Sequence, residues 1–409
     1  MLPPPFPLVI IGGTNGKGSA AVFAEALLSE HLKAGAFVKP HVYSITERVR
    51  IGGQPSSAEA FAGATEGLAN YLGSHSREVT FFEATLIVAL LALRDAGVQI
   101  ALVEVGLGGR FDAANALPRI LVGLTSIGRD HERYLGSSLA GIAVEKAGVM
   151  AEGVPVILSR GIRRQSPDCH EILCKLAALK HAPVVEPGVK LKRLCGSLDP
   201  PQQDFETSGG ADGLDLPPRL RINQLGLYQQ HNLEVALAIA SELLKLGHLP
   251  ERFRVPANLS VFYPARFEVH RVGRGCVVLD AAHNEEGMRA LAEALREYLP
   301  GVQPTLVFGC QQGKDVARML SPLKGLVARI VPVELQVLKP LPQDEVAAGI
   351  RRAGFALHLA DKTFPEQTSS ILIEVEEGST VVVAGSIYYL GTIAQALGIG
   401  VARKPGLNQ

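Results

Sequence analysis

A glycine-rich turn that carries a lysine and a serine has the residue types for phosphate chemistry. Gly12–Ser19 follows the apolar run Leu8–Ile11, which predicts a buried strand, and precedes Ala20–Lys33, which predicts a helix. Backbone N–H groups at such a helix N-terminus point at an anion, and glycines let the chain approach phosphate oxygens closely. Lys17 can reach terminal phosphates, and the Ser19 hydroxyl can ligate Mg²⁺. The stretch indicates a nucleotide triphosphate site, with an ordinary glycine-rich turn as the alternative.

Two further polar side chains stand where predicted strands end. Glu104 lies inside a buried apolar run and is followed by a second glycine-rich loop, Gly106–Asn115, while His131 follows the strand Ile120–Ile127. Ligands of open α/β sheets bind beyond the carboxyl ends of strands, so these residues are expected to face the same crevice as Ser19. Together they offer a mixed oxygen and nitrogen donor set for Mg²⁺. A salt-bridged structural glutamate and a surface histidine are the alternatives.

Other polar residues have ordinary structural explanations when the sequence is considered residue by residue. Thr80–Glu83 opens an apolar helix, and its acidic residue favours a helix start. Lys146 lies on a predicted helix, Ser138–Met150, where a lone lysine usually faces solvent. Asn232 stands near the start of the helix Gln229–Leu246, where an asparagine can be merely a cap or a first-turn residue.

Length and composition limit the class of protein. The chain has 409 residues, 47% apolar and 20% charged, which is enough for two or three domains with their own cores. A formal net charge of zero gives no indication of nucleic-acid binding. Five scattered cysteines predict reduced thiols and a cytoplasmic protein. Neither a signal peptide nor a membrane span is predicted, because the most apolar run, Ala84–Leu93, is too short to cross a bilayer.

An irregular stretch with several prolines, Pro250–Pro264, marks the predicted boundary between two domains. On both sides of it apolar runs alternate with helical patterns, which is typical of α/β folds. We predict that residues 1–255 form an ATP-binding, P-loop-type domain, a mostly parallel sheet with flanking helices. Residues 256–409 are predicted to form a smaller, Rossmann-like α/β domain. Within the first domain, Leu194–Pro218 predicts a flexible surface loop or a hairpin insertion.

Several of these motifs, taken in order, resemble those of the Mur-ligase superfamily, and within it the folylpolyglutamate synthase/dihydrofolate synthase family. The similarity extends over nearly the whole chain. The stretches that carry it are Gly13–Ser19, Glu47–Ile51, Thr80–Glu83, Glu104–Asn115, Asp130-His131, Glu145–Gly148, Asp280–Asn284 and Gly385-Ser386.

The resemblance implies roles for individual residues. ATP would be bound by Asn15, Gly16, Lys17, Gly18, Ser19, Asn232, Arg266 and Asp280. One or two Mg²⁺ ions would be ligated by Ser19, Glu104, His131 and Lys146, the last as a carbamylated N6-carboxylysine. The pterin substrate would lie along Thr80, Phe81, Phe82, Glu83, Phe111, Asp112 and Ala113. The catalytic residues would be Lys17, Lys146 and His283.

The implied reaction is ATP-dependent amide ligation in folate biosynthesis and one-carbon metabolism. ATP phosphorylates a carboxylate, and the amine of L-glutamate then displaces phosphate from the acyl phosphate. The acceptor would be dihydropteroate, a (poly)glutamylated tetrahydrofolate, or both. The protein would act as a cytoplasmic monomer on small molecules, without nucleic-acid or membrane partners. One alternative is a divergent paralogue that ligates an amino acid to another carboxylate, and another is a non-catalytic nucleotide-binding scaffold.

The sequence departs from the family at two positions near the expected site. The family usually has a serine that ligates Mg²⁺ before the Pro-His pair at the end of its second strand, and Lys39 stands there in this chain. An ammonium group cannot ligate a metal, but it can act as a cation near phosphate. Arg129 stands where an apolar residue is common before Asp-His. The first metal site is therefore expected to be altered or weakened.

Overall fold

The computed structural model describes residues 4–75, 77–210, 213–335 and 339–399, so the three N-terminal residues of the signal-peptide prediction lie outside the described residues. The chain divides into two compact units. Unit 1 holds the chain up to Cys195 together with Gln203–Asn223 and Tyr228–Phe262. Unit 2 holds Gly196–Gln202, Gln224–Leu227 and the chain from Tyr263 onward. No helix among the described residues is long and apolar enough to span a membrane.

The chain up to residue 262 alternates strands and helices. Its strands are β1 Leu8–Gly12, β2 Ala34–Phe37, β3 Val49–Ile51, β4 Gln54–Pro55, β5 Ile100–Glu104, β6 Leu121–Leu124, β7 Val156–Leu158, β8 Val184–Val185, β9 Val189–Leu198, β10 Pro201–Gly209, β11 Leu214–Asp215, β12 Arg219–Ile222, β13 Phe253–Arg254 and β14 Asn258–Leu259. Its helices are α1 Lys17–Ser29, α2 Ala58–His75, α3 Phe81–Asp95, α4 Glu132–Leu135, α5 Leu139–Ala147, α6 Arg160–Gln165, α7 Pro167–Leu179 and α8 Gln229–Lys245.

The main sheet of unit 1 has eight strands within the described ranges, in the order β4-β3-β2-β5-β1-β6-β7-β8. From β2 to β8 the neighbouring strands run parallel. Ile11 of β1 pairs with Glu104 of β5, and Gly12 pairs with Leu124 of β6. The carboxyl ends of these three central strands therefore meet at one edge of the sheet, which we call the carboxyl edge.

Helices cover both faces of this sheet, as the alternating strand and helix pattern predicts. Helices α1 and α8 pack together on one face, with Val235 and Ile239 lying over Gly123 of β6. Helices α2, α3, α5 and α7 contribute to the core on the other face, which contains Leu8 and Ile10 of β1. The α/β fold predicted for this part of the sequence is confirmed.

A second sheet in the described chain has the order β14-β12-β10-β9. Strands β9 and β10 are long and follow one another closely, so the hairpin prediction for 194–218 is confirmed and the loop prediction is wrong. Buried and more exposed residues alternate along β10, where Gln203 and Phe205 point inward and are buried. The Gly, Ser and Asp residues of this stretch obscure the alternation in the sequence. Residues 211 and 212 of that stretch lie outside the described residues.

Unit 2 contains a smaller α/β sheet. Its strands are β15 Glu268–Val272, β16 Gly275–Leu279, β17 Thr305–Phe308, β18 Arg329–Pro332 and β19 Thr380–Ala384, and its helices are α9 Glu285–Tyr298, α10 Val316–Leu320, α11 Gln343–Arg352, α12 Phe364–Glu376 and α13 Leu390–Ala396. The strand order is β15-β16-β19-β17-β18, with β15 antiparallel and the other pairs parallel. The Rossmann-like prediction for this half is confirmed.

Candidate active site

The phosphate loop connects β1 to α1 with a backbone that requires glycine at its last position. Gly16 has φ 83°, in the left-handed region, and a Cβ built on it would lie 2.2 Å from Oδ1 of Asn232. Within the described chain no side chain caps the first turn of α1, and that turn contains no acidic residue. Its N–H groups and the positive end of the helix dipole are therefore suited to an anionic ligand.

The Lys17 side chain folds back over this loop. Its Nζ donates hydrogen bonds to the carbonyl oxygens of Gly13 at 3.1 Å and Thr14 at 2.8 Å. Burial, and after it the positive charge of Lys39, lowers the pKa of Lys17 to about 8. Three carboxylates act in the opposite direction, in decreasing order Glu104, Asp130 and Asp112. The Glu104 charge thus acts on the lysine of the phosphate loop, and its predicted role in the site stays a prediction.

Lys146 approaches the same loop from α5. Its side chain is buried, and its Nζ donates to the Gly13 carbonyl oxygen at 2.7 Å. The ordinary expectation that this lysine faces solvent is therefore wrong. A Cβ on Gly109 would lie 2.7 Å from the carbonyl oxygen of Glu145, so only glycine lets the second glycine-rich loop pack this closely against α5. Lys17 and Lys146 consequently share one acceptor, a concentration of positive charge at the phosphate loop.

Glu104 and Ser19 offer oxygen donors at the carboxyl edge. Glu104 ends β5, is 4% exposed, and accepts a hydrogen bond at Oε2 from the Lys39 backbone N–H at 2.9 Å. The buried Ser19 hydroxyl forms no hydrogen bond with any described residue. Mg²⁺ binds carboxylate and hydroxyl oxygens, and it usually keeps waters and phosphate oxygens as its remaining ligands. The residues present fit such a partly hydrated ion. A full protein cage is not expected, because no group of three or more His, Cys, Asp and Glu in the described ranges could hold a metal.

His131 and Asp130 follow β6 and differ in exposure. His131 has φ 51°, precedes α4 as its N-cap, and has a side chain that is 45% exposed. Asp130 is buried, and its Oδ1 accepts the His131 backbone N–H at 2.8 Å. Of this pair, it is the Asp130 charge that acts on Lys17. The metal-ligand role of His131 stays a prediction.

The segment that follows β6 anchors the phosphate loop. The predicted strand Ile120–Ile127 includes Thr125 and Ser126, whereas β6 ends at Leu124, so the sequence pattern does not indicate this anchoring. Thr125 Oγ1 donates to the carbonyl oxygen of Asn15 at 2.6 Å, and Ser126 Oγ accepts the Asn15 N–H at 2.9 Å. Thr14 Oγ1 donates to the Gly128 carbonyl oxygen at 3.0 Å and accepts the Gly128 N–H at 2.9 Å. The loop conformation is therefore fixed by hydrogen bonds from a neighbouring strand end.

Asn232 contacts the loop from the first turn of α8. Its Nδ2 donates to Oε1 of Gln229 at 2.9 Å, and both side chains are buried. This bond orients the Asn232 amide so that its Oδ1 faces Gly16. Nε2 of Gln229 has no partner among the described residues. Gln229 is thus a positioning residue that the sequence did not single out.

Thr80 and Glu83 together start helix α3. Thr80 Oγ1 and N–H donate to Oε2 of Glu83 at 2.7 and 2.8 Å, and the Glu83 N–H donates back to Thr80 Oγ1 at 3.2 Å. The helix-start explanation of these residues is confirmed. Phe81 is 60% exposed with the Arg48 guanidinium 5.0 Å from its ring centre, whereas Phe82 packs against Phe37. The substrate roles of these four residues stay predictions.

In the second glycine-rich loop one aromatic ring is exposed, and one carboxylate accepts hydrogen bonds from backbone groups of the loop itself. Phe111 is 84% exposed. Asp112 accepts the N–H groups of Leu107 at 2.8 Å and Ala114 at 3.0 Å, which fixes the loop before the short 3₁₀ helix that begins at Ala113. Asp112 therefore has a structural function whatever it contacts in a complex, and the exposed ring is the more available surface.

The predicted residues of unit 2 surround the end of β16. Asp280 is buried and accepts the N–H groups of Phe267 at 2.9 Å and Ala282 at 2.8 Å. Nδ1 of His283 donates to the Ala281 carbonyl oxygen at 2.8 Å. The structure thus brings Asp280 and His283 onto one loop at a strand end.

Arg266 precedes β15 in the same unit. Its Nη2 donates to the Tyr263 hydroxyl at 3.1 Å, and its guanidinium lies 4.5 Å from the centre of the Tyr263 ring. A second nitrogen, Nη1, donates to the Ala265 carbonyl oxygen at 3.0 Å. These contacts hold the guanidinium against its own loop. The ATP-binding roles predicted for Arg266 and Asp280 stay predictions.

The chain is similar to known proteins over most of its length. Residues 265–387 match the family described as Mur ligase, glutamate ligase domain. The chain is 31% identical to the dihydrofolate synthase/folylpolyglutamate synthase of Mycobacterium tuberculosis over 350 residues, 80% of this chain and 70% of the relative.

Two solved structures share the fold. The folylpolyglutamate synthase of M. tuberculosis complexed with ADP and AMPPCP is 26% identical with a TM-score of 0.79, covering 98% of this chain and 92% of that one. A bifunctional folylpolyglutamate synthase/dihydrofolate synthase with Mn, AMPPNP and L-glutamate bound is 26% identical with a TM-score of 0.75, covering 97% and 91%. The chain belongs to the folylpolyglutamate synthase/dihydrofolate synthase family of Mur ligases.

Proposed function

We propose that this protein is an ATP-dependent ligase that joins L-glutamate to dihydropteroate, to (poly)glutamylated tetrahydrofolate, or to both. The observation that carries the proposal is the meeting of Lys17 and Lys146 at the Gly13 carbonyl, with the Glu104 carboxylate acting on Lys17. Two lysines and a buried carboxylate around a glycine-rich helix N-terminus suit a triphosphate with a divalent ion, with Lys17 as the cation and Lys146 as the carbamylated metal ligand. The names of the relatives supply the acceptor class and the amino acid.

The nucleotide is proposed to bind along α1. Lys17 and the amides of Gly16–Ser19 would hold the phosphates, Asn15 would be positioned by Thr125 and Ser126, and Asn232 would contribute from α8. Arg266 and Asp280 are the proposed ATP contacts of unit 2. The nucleotide analogues bound by the two solved relatives support ATP as the co-substrate.

One or two Mg²⁺ ions are proposed at the carboxyl edge, where Ser19, Glu104, His131 and Lys146 would hold them. When bound, the metal neutralises charge on the phosphate oxygens. Lys146 would have to be carbamylated to serve as a ligand. Two ammonium groups around one carbonyl oxygen repel each other, and an anionic N6-carboxylysine at 146 would replace that repulsion by attraction to Lys17. The Mn-bound relative supports a divalent ion.

Two steps are proposed. An oxygen of the acceptor carboxylate attacks the γ-phosphorus, the bond to the β-phosphate oxygen breaks, and ADP leaves. The unprotonated glutamate amine then attacks the acyl carbon, the bond from that carbon to the phosphate oxygen breaks, and the nitrogen loses one proton to the released phosphate or to water, which leaves a neutral amide. Lys17 would stay in contact with the phosphoryl group during its transfer and stabilise the negative charge that develops on it. His283 is proposed as the catalytic residue of unit 2.

The acceptor is proposed to lie along Thr80, Phe81, Phe82, Glu83, Phe111, Asp112 and Ala113. Phe81 and Phe111 carry this part of the proposal, because their exposed rings can stack on a flat pterin. The corresponding domains would be residues 1–255, the ATP-binding domain, and residues 256–409, the glutamate ligase domain. This assignment is supported by the two compact units and by the family match that begins at residue 265.

We further propose that the protein is a cytoplasmic monomer that acts on small molecules alone. The five cysteines are all free, as expected of a reducing compartment. The formal net charge of zero gives no electrostatic reason for nucleic-acid binding.

An assay of ADP release with dihydropteroate, L-glutamate and Mg-ATP tests the function. ADP is expected to appear at a rate that requires all three substrates, in one-to-one ratio with the amide product. A panel of other acceptor acids, run in parallel, separates the divergent-paralogue alternative: turnover with another acid and none with folates would favour it. Nucleotide binding without any turnover would favour the non-catalytic scaffold and contradict the proposal.

A further inference from the structure

Lys39 stands at the carboxyl edge, two residues beyond the end of β2, which is the parallel neighbour of β5. Its backbone N–H donates to Oε2 of Glu104 at 2.9 Å, which fixes the residue beside that buried carboxylate. Its ammonium charge also lowers the pKa of Lys17, an effect second only to that of burial. Lys39 therefore lies beside the Glu104 carboxylate, and its charge acts on the lysine of the phosphate loop.

The Lys39 ammonium differs from its two neighbours in having no acceptor. Lys17 and Lys146 donate to the Gly13 carbonyl oxygen. Lys39 is half-buried, and its Nζ forms neither a hydrogen bond nor an ion pair with any residue in the described ranges. The carboxylates that act on Lys17 are occupied in part by backbone N–H groups. One Glu104 oxygen accepts the Lys39 N–H, one Asp130 oxygen accepts the His131 N–H, and both Asp112 oxygens accept N–H groups.

The Lys39 charge acts on the Lys17 ammonium, and these two cations repel each other until an anion binds to them. A polyphosphate would give the Lys39 and Lys17 ammonium groups a common partner, whether or not Lys146 is carbamylated. A divalent cation would do the reverse, because an ammonium group has donors only and repels a metal placed near it.

We propose that Lys39 binds the triphosphate directly and supplies part of the charge neutralisation that a divalent cation would otherwise provide beside Glu104. This inference rests on the proposed function for the identity of the polyphosphate. Two consequences follow. ATP binds measurably without any divalent cation, and a divalent cation binds weakly to the nucleotide-free protein.

The first test is ATP affinity by calorimetry, in EDTA and in saturating Mg²⁺, for the full chain. Lys39→Met is expected to weaken ATP binding in EDTA about ten- to a hundredfold, the range for one hydrogen bond to a charged group. The loss should be smaller in Mg²⁺, and Lys39→Arg should restore most of the affinity. Lys33→Met is the matched control, because Lys33 is exposed and precedes the same strand at its opposite end.

The same titrations with ADP, AMP and inorganic phosphate locate the contact. A Lys39→Met effect that is present for ATP and disappears for AMP supports contact with the terminal phosphates. If Lys39→Met weakens the binding of inorganic phosphate but not that of ATP, the proposal is overturned in favour of a free-phosphate site. If the wild type does not bind ATP in EDTA, or if Lys39→Met and Lys33→Met bind it equally, the proposal is wrong.

A second variant protects against a folding artefact and tests the metal directly. Lys39→Ser removes the charge and adds a hydroxyl, so Mn²⁺ binding measured by electron paramagnetic resonance should strengthen at least about fivefold relative to wild type. Unchanged Mn²⁺ affinity in a folded Lys39→Ser protein contradicts the inference. If the wild type forms the amide and Lys39→Met binds ATP as tightly as the wild type, this inference is wrong and the proposed function stands. If Lys39→Met weakens ATP binding but the wild type forms no amide, the proposed function is wrong and this inference stands.

Discussion

Two groups of buried charges lie along helix α1, and they differ in how completely the protein itself satisfies them. In the second half of the helix, Glu25 is 0% exposed and lies 3.1 Å from Nε of Arg50. The other guanidinium nitrogens donate to the carbonyl oxygens of Phe262 at 2.8 Å and Gly53 at 2.7 Å. The second Glu25 oxygen accepts the Gly53 N–H. Every charged atom of this pair has a partner.

At the start of the same helix the charges are not balanced in this way. Lys17 and Lys146 share the Gly13 carbonyl oxygen, and the positive charge of Lys39 acts on Lys17. The Lys17 and Lys39 charges remain when Lys146 is carbamylated. A balanced buried pair needs no ligand and serves the fold, whereas a surplus of half-buried positive charge favours a bound anion. The comparison therefore separates a structural charge cluster from a binding site on one helix.

The largest expected effect concerns the balanced pair. Arg50→Met leaves the Glu25 carboxylate buried without its cation, and removing one partner of a buried pair costs about 3–5 kcal/mol in the free energy of unfolding. Urea unfolding at neutral pH measures this loss. The double variant Glu25→Gln/Arg50→Met should recover part of it. A loss below about 1 kcal/mol would show that this pair is not the structural element inferred here.

Removing a cation from the unbalanced group should instead affect turnover. Lys17→Met is expected to lower kcat about a hundred- to a thousandfold, the range for losing one group that stabilises transition-state charge. Its free energy of unfolding should change little, because losing the two hydrogen bonds of Nζ is offset by removing a half-buried charge that Lys39 repels. Lys175→Met, which changes an exposed lysine on α7, is the control. Steady-state kinetics and urea unfolding of both variants check the prediction, and equal kcat values would exclude Lys17 from the reaction.

Titration of Lys17 sharpens the same contrast. Since burial and Lys39 lower the pKa of Lys17 to about 8, the side chain is charged below that pH and loses its charge above it. ATP affinity in EDTA should be constant just below pH 8 and fall by up to tenfold per pH unit above it. Because Lys39 contributes to the lowered pKa, Lys39→Met should move this break to higher pH. A wild-type affinity that is flat between pH 7 and about 9.5 would contradict the assignment.

The smallest effect is expected at the exposed aromatic ring of the second glycine-rich loop. Phe111→Ala should raise the KM for the acceptor about five- to tenfold, the value of one lost aromatic stacking contact, and leave ATP affinity unchanged. Little stability should be lost, since the ring is 84% exposed. Tyr388→Ala, at another exposed ring, is the control. A change in ATP affinity without a change in acceptor KM would argue against the substrate role.

Much of the fold could be predicted from the sequence because the local signals are strong. The run Leu8–Ile11 and the Gly-rich turn after it predict a strand and a helix, and the structure has β1 and α1 there. The helix begins at Lys17 rather than Ala20, because the Lys-Gly-Ser residues that were assigned to the turn complete its first turn. Helix α2 was missed, since its buried face is limited to Phe61, Ala64 and Leu68 among many small residues.

The candidate site could be predicted only in part. Glu104 was identifiable, because a carboxylate inside a buried apolar run is costly without a function. Lys146 looked like any helical lysine, and only the family resemblance selected it. The anchoring of Asn15 by Thr125 and Ser126 joins segments more than a hundred residues apart in the chain. Such hydrogen bonds depend on strand order, which no local pattern contains.

The central claim is that ATP activates the acceptor as an acyl phosphate before glutamate is joined to it. Dihydropteroate labelled with ¹⁸O in its carboxylate tests this most directly, with the product phosphate analysed by mass spectrometry. The mechanism proposed here transfers one labelled oxygen to inorganic phosphate for each amide bond formed. Amide formation with unlabelled phosphate, or with AMP and pyrophosphate as products, would contradict it.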